Sequence, residues 1–157
     1  MRRFTRVVLS AFVALLLAPA LFAQDAKHAA KKMKAPAKLV TITPDQLKWE
    51  ANPGAPEVKM ATAWGDPAKG AHGAFHKFPA GFVTPLHTHS SDVRFAVISG
   101  TMIEATEDGK ETKLPPGSYA YQPHTVKHVT KCDAGSECVI FAVVNGKFDL
   151  KPAEAKK

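Results

Sequence analysis

Between Val58 and Val144 apolar residues recur at every second position in short runs: VKMATAW, AHGAFHKF, FVTPLHTH, VRFAVI, TMIEATE, GSYAYQ, VKHVTKC and CVIFAVV. That period turns one side of each run to a core and the other to solvent, as a β-strand does. The runs are separated by GDPAKG, PAG, SSD, SG, EDGKE, LPPG and DAGSE, segments of Gly, Pro, Asp and Ser that reverse the chain. Many short strands with no long amphipathic helix predict an all-β domain, either a sandwich or a small antiparallel barrel. Ahead of them TPDQLKW has the signature of a helix start, with Thr43 as N-cap, Pro44 at the first helical position and Gln46 placed for a capping box. EANPGAPE stops it after one short turn. No internal repeat is present.

The first residues follow another pattern. Arg2, Arg3 and Arg6 precede the apolar run VVLSAFVALLLAPALFA, and Ala23 offers a small residue at a cleavage point, so residues 1–23 are expected to be a secretory signal. An uncleaved membrane anchor is the alternative, but Ser10 and Pro19 interrupt a run already short for a span of about 20 residues. Cleavage leaves no stable membrane insertion and predicts export across the inner membrane, to the periplasm. Residues 24–39 are rich in Ala and Lys without apolar periodicity and are expected to form a disordered tether. Residues 40–150 are assigned to the barrel and 151–157 to a disordered tail.

The formal charge of +7 changes the picture little, because three of the seven charges lie in the leader and four in the lysine-rich tether. A nucleic-acid reader carries its basic surface on the folded domain, so binding of DNA or RNA is not expected. Cys132 and Cys138 are the only cysteines. Export to an oxidising compartment, and the turn residues DAGSE between them, predict a disulfide that staples a β-hairpin, with free thiols or a redox or metal role as the alternatives.

The candidate chemistry starts with PLHTHSSDVRF. His87 and His89 fall on one face of a strand about 6.6–6.8 Å apart along it, close enough for two imidazoles to share one ion at a metal–nitrogen distance of about 2.0–2.1 Å. Such a pair alone is a weak signal, since histidine pairs also occur on solvated faces.

The wider pattern resembles the cupin superfamily. Its first motif is matched by Gly81, FVTPL, His87-Thr-His89, SSD and Gly100, and its second by Gly117, SYAYQ, Pro123, VK and His128. The stretch from WGDPAKG to the SGTM turn is similar to short secreted cupins grouped with the cupin domain of anti-sigma factors. The resemblance implies a single-domain jelly-roll (double-stranded β-helix) barrel. It also implies one divalent metal ion in the barrel's mouth, held by His87, His89 and His128, with Fe, Mn, Zn, Cu and Ni all compatible with the ligands.

The departures from the motif matter as much. Val93 stands where the family's carboxylate ligand usually sits, which leaves three neutral imidazoles and the full +2 charge to attract an anionic small molecule. A β-bulge near SSD is the alternative: it would turn Asp92 inward as a carboxylate ligand, or Arg94 inward as an anion clamp. Without a bulge, Val93, Phe95 and Val97 form an apolar wall beside the metal. Thr125 replaces a motif glycine and Cys132 a motif asparagine.

His124, in the turn before His128, is a candidate acid–base residue at the mouth or a solvated turn histidine. His72, His76, Glu104 and Glu107 are expected at solvent, and Tyr119 and Tyr121 in packing. Three functions stay open: an oxidoreductase resembling three-histidine cupin dioxygenases, a non-catalytic barrel that binds or senses a metal or small metabolite, and a metal-free structural barrel. Dimers formed through barrel edges would hide exposed strands.

Overall fold

The computed structural model describes residues 38–52 and 54–154. The chain divides into Met1–Val40 and Thr41–Lys157. The expected leader, and all but the last two residues of the expected tether, lie outside the described residues. Among the described residues no helix is long and apolar enough to cross a membrane.

The second unit opens with a single 3-10 turn, Pro44–Gln46. Its start is fixed as the sequence predicts: the Thr43 N–H donates to Gln46 Oε1 at 2.9 Å, and the Gln46 N–H donates to the Thr43 carbonyl at 2.9 Å. Among the described residues eleven strands follow: β1 (Glu50–Asn52), β2 (Ala55–Gly65), β3 (His72–Phe78), β4 (His87–Thr88), β5 (Val93–Ser99), β6 (Met102–Thr106), β7 (Glu111–Leu114), β8 (Tyr119–Gln122), β9 (His128–Cys132), β10 (Cys138–Val144) and β11 (Lys151–Pro152). They form two antiparallel sheets, ordered β1-β2-β3-β10-β5-β8 and β11-β4-β9-β6-β7. This is the jelly-roll barrel of the cupins.

Alternation along the strands builds the core between the sheets. Val93, Phe95 and Val97 of β5 and Ile140, Ala142 and Val144 of β10 point inward from one sheet, and Met102 and Cys132 meet them from the other. Each large aliphatic or aromatic side chain buried this way contributes about 1.5–3 kcal/mol. Gly100 makes the β5–β6 turn: its φ is 72°, and a Cβ there would sit 2.8 Å from Cys138 Cα, so both conformation and space require glycine.

Four features differ from the sequence reading. FVTPLHTH pairs regularly only at His87–Thr88, with one isolated bridge from Val83 to Lys131, because Pro85 has no N–H for the ladder. Glu111–Leu114, only the ends of which fall in the turn segments EDGKE and LPPG, is the edge strand β7; its side chains are nearly all exposed, so it shows no apolar stripe. Residues 151–152, expected in a disordered tail, form β11 against His87 and Thr88, and the Ala153 N–H extends the pairing by donating to the Leu86 carbonyl at 2.9 Å. Cys132 and Cys138 are disulfide-bonded, but they do not staple a hairpin. β9 pairs with β4 and β6 while β10 pairs with β3 and β5, so DAGSE crosses from one sheet to the other and the disulfide ties the two sheets together.

Candidate metal centre

His87 on β4 lies directly across from His128 on β9, and His89 follows two residues after His87 on the same inward face. All three are buried, at 2%, 5% and 6% exposure for His87, His128 and His89. Their ring centroids are 4.3 Å (His87–His128), 4.8 Å (His87–His89) and 5.2 Å (His89–His128) apart, and one nitrogen from each lies within 4.8 Å of the others.

The backbone decides which nitrogen that is. Each Nδ1–H donates to a carbonyl: His87 to Pro85 at 2.9 Å, His128 to Val126 at 2.9 Å and His89 to Asp149 at 2.5 Å. That leaves Nε2 with its lone pair on all three rings, the arrangement in which metal-binding histidines are held. Burial pushes the His87 pKa down to about 4, and it lowers those of His89 and His128 as well, so the rings are neutral. The His128 Nε2 is buried without any hydrogen-bond partner. Three converging neutral donors, one of them orphaned, fit a divalent ion bound by imidazole nitrogen.

The centre opens on a narrow cavity of about 60 Å³ lined by His87, His89, Val93, Phe95, Phe148 and neighbouring apolar side chains. That space suits a few waters or a molecule of a handful of heavy atoms. Val93 is 4% exposed and faces inward with Phe95 and Val97, forming the expected apolar wall. The bulge in β5 lies at the far end of the strand, where Val139 pairs with Ser99 and Ile140 with Val97, leaving Ile98 as the extra residue. A bulge at SSD is therefore absent, and Asp92 and Arg94 stay on the other side of the strand.

Asp92, His124 and Arg94 form a separate, more exposed cluster. Asp92 Oδ1 accepts from the His124 backbone N–H at 3.1 Å and from His124 Nδ1 at 2.9 Å, and Oδ2 accepts from the Tyr121 hydroxyl at 3.0 Å. Those bonds, the His124 side chain's first among them, hold the Asp92 carboxyl down at about 2. The Arg94 guanidinium lies 3.7 Å from Asp92 and stacks over the Tyr121 ring at 4.5 Å. None of the three belongs to the histidine group. The His124 carbonyl accepts the His89 N–H at 3.2 Å, so the cluster locks the turn leading to His128 against the loop carrying His89. Tyr119 and Tyr121 are 62% and 47% exposed, on the outer face instead of in packing.

Several buried or bridging polar positions escape the sequence reading. His72 and His76, expected at solvent, are 0% and 3% exposed: four residues apart on one strand, they share the inward face of β3. Glu104, also expected at solvent, points inward beside Met102. Its carboxylate accepts from Gln122 Nε2 at 3.1 Å and from Thr130 Oγ1 at 2.9 Å, and burial outweighs these bonds and raises its pKa to about 7. Strict alternation along MIEAT was the signal for it. Asp149 carried none, because its part is played by the backbone carbonyl that orients His89 and by a carboxylate that accepts from the Ser90 N–H at 2.7 Å.

The chain thus has the two-sheet jelly-roll fold of the cupins, with three buried histidines gathered on its inner face. The chain belongs to the DUF4437 family, a domain of unknown function, whose sequence profile spans residues 14–151. Among solved structures it is similar to the polyketide cyclase RemF from Streptomyces resistomycificus, at 19% identity over 76% of this chain and 89% of that one, with a TM-score of 0.63. It is also similar to KdgF from Halomonas sp. (20% identity, 69% and 94% coverage, TM-score 0.54). A third likeness is to the complex of Rhodobacter sphaeroides SigE with the anti-sigma ChrR (18% identity, 66% and 52% coverage, TM-score 0.52). No curated protein matches the chain.

Proposed function

We propose that this chain is an exported, metal-dependent cupin enzyme acting on a small anionic or enolisable molecule, with oxidoreductase chemistry of the three-histidine dioxygenase kind. The carrying observation is the convergence of three Nε2 lone pairs, each fixed by an Nδ1–H···O=C bond, at the edge of an apolar cavity. A bound divalent ion supplies Lewis acidity there and, for iron, manganese or copper, one-electron chemistry. With Val93 in place of a carboxylate, no acidic side chain belongs to the histidine group, which favours an anionic oxygen of the substrate as a further ligand. The side chains do the rest: Phe95, Val93 and Phe148 exclude water from the cavity, and the carbonyls of Pro85, Val126 and Asp149 hold the rings in place. RemF, on the same fold, is an enzyme, which supports catalysis over binding alone. The Cys132–Cys138 disulfide supports an oxidising compartment such as the periplasm.

The test is metal analysis of the untagged protein purified from its own compartment beside His128→Ala, followed by oxygen-uptake assays with acetylacetone, cysteine and a phenolic acid. Near-stoichiometric metal in the parent, a loss of more than about 100-fold in metal affinity in the variant, and oxygen uptake with one of the substrates are expected. Metal without turnover of any substrate would make the protein a binding or sensing barrel. Failure to take up any metal on reconstitution would overturn the metalloprotein reading.

A further inference from the structure

His76 lines the same cavity as His87 and His89, yet its hydrogen bonding is the reverse of theirs. Its Nδ1 meets Asn52 Nδ2 at 3.4 Å. The orientation of that amide is fixed from its other end, because Asn52 Oδ1 accepts the Gly54 N–H at 2.9 Å. Asn52 therefore presents N–H to His76, and Nδ1 must be the acceptor. Burial keeps the ring neutral, pushing its pKa down to about 4. A neutral ring with an accepting Nδ1 carries its proton on Nε2. That Nε2 is buried and makes no hydrogen bond. The ring's neighbours are Phe78 and Phe148, with centroids at 6.4 and 5.8 Å, and neither supplies an oxygen acceptor. Buried N–H groups without an acceptor are rare in folded proteins and call for an explanation.

We propose that the His76 Nε2–H is the cavity's ligand-positioning donor, aimed at a carbonyl or carboxylate oxygen of a small molecule. This inference rests on the cavity being a ligand site, as in the function proposed above, and adds the recognition group. Phe148 lies between the two histidine environments, its ring centroid 5.8 Å from that of His76 and 5.5 Å from that of His89. A ligand with two oxygen functions can thus meet the histidine trio at one end and His76 at the other. The volume of about 60 Å³ limits it to a compact oxo acid, diacid or diketone. His76 itself is no ligand for a metal, since the nitrogen it leaves without a partner bears a proton.

The experiment is long-range proton–nitrogen NMR of the histidine rings in the mature protein, apo and zinc-loaded, during titration with pyruvate, oxalate and acetylacetone. Calorimetry of the same probes follows on His76→Phe and His76→Gln. The expected result is a neutral Nε2–H tautomer for His76 whose signal moves with at least one probe. His76→Phe should bind that probe about tenfold more weakly at unchanged zinc affinity, while His76→Gln, which keeps an N–H, recovers most of the loss. If His76→Phe does not fold, Asn52→Leu serves instead, with an altered His76 tautomer and the same weakening. An Nδ1–H tautomer in the parent, a signal that no probe moves, or equal binding by the parent and by the variant that folds would overturn the proposal. A parent that takes up no zinc but whose His76 signal still responds in the apo protein would overturn the metal reading alone.

Discussion

Two clusters of histidine and polar side chains lie on opposite sides of the same strand. Inside the barrel, next to Val93, the rings of His76, His87, His89 and His128 are buried and neutral, and two of them, His76 and His128, carry an Nε2 without a partner. Outside it, Asp92, Arg94, Tyr121 and His124 are more exposed and satisfy one another through hydrogen bonds, an ion pair and a stacked guanidinium. A sequence reading gives both clusters chemistry, since both contain residues that catalyse or bind. The difference between them lies in what is left unfinished. The outer polar groups pair with one another and here brace two loops, whereas the buried nitrogens of His76 and His128 have no hydrogen-bond partner.

The sharpest way to break that contrast is to put charge into the inner cluster. Val93→Glu places a carboxylate beside the three imidazoles; without metal it should destabilise the fold by about 3–5 kcal/mol, and saturating zinc should reverse much of that loss. Denaturant midpoints with and without zinc measure it, and equal destabilisation in both states would argue against a metal site at Val93.

A smaller effect, of about 3 kcal/mol, concerns pH. The folded-state pKa of His76 is about 4, below the ordinary 6.5, so its contribution to stability is present above pH 6.5 and is lost as pH falls toward 4. Glu104 acts oppositely: its pKa is raised to about 7 from 4.5, so its contribution is present below pH 4.5 and is lost as pH rises through 7. Between pH 4.5 and 6.5 the two offset each other, and Glu104→Gln should make apo-protein stability climb more steeply with pH than in the parent. Urea unfolding across pH 4–8 reads the slope directly.

Removing the disulfide with Cys132→Ser and Cys138→Ser should cost about 2 kcal/mol, as expected for closing so short a loop, without changing metal uptake. The smallest change belongs to the outer cluster. Asp92→Asn should loosen the turn before His128 and alter metal affinity by less than about tenfold, whereas His128→Ala removes one of the three nitrogens proposed to hold the ion. An effect of Asp92→Asn as large as that of His128→Ala would erase the distinction between the clusters.

The legible part of this protein was periodic or spaced. Alternation marked the stretches that became β2, β3, β5, β6, β8, β9 and β10, and the paired motifs marked His87, His89 and His128. What escaped had no such regularity. β7 is an exposed edge, β11 is two residues held by pairing with β4, and the β1–β2 hairpin was hidden in EANPGAPE, although Asn-Pro-Gly is a turn signal. His76 and Glu104 were visible in principle: each sits an even number of positions from an inward neighbour, Phe78 and Met102, but their polarity argued for solvent.

The sequence by itself determined that the domain is β-rich, that two histidines share a face, and that two cysteines stand close enough along the chain to bond, because each depends on spacing within a few residues. Only the tertiary structure decided that the disulfide joins two sheets, that Asp149 orients a histidine 60 residues away, and that Asn52 sets the proton on His76. The physical reason is that a proton's place on an imidazole ring is chosen by its hydrogen-bond partner, and in this barrel those partners come from strands and loops that meet only when both sheets have closed.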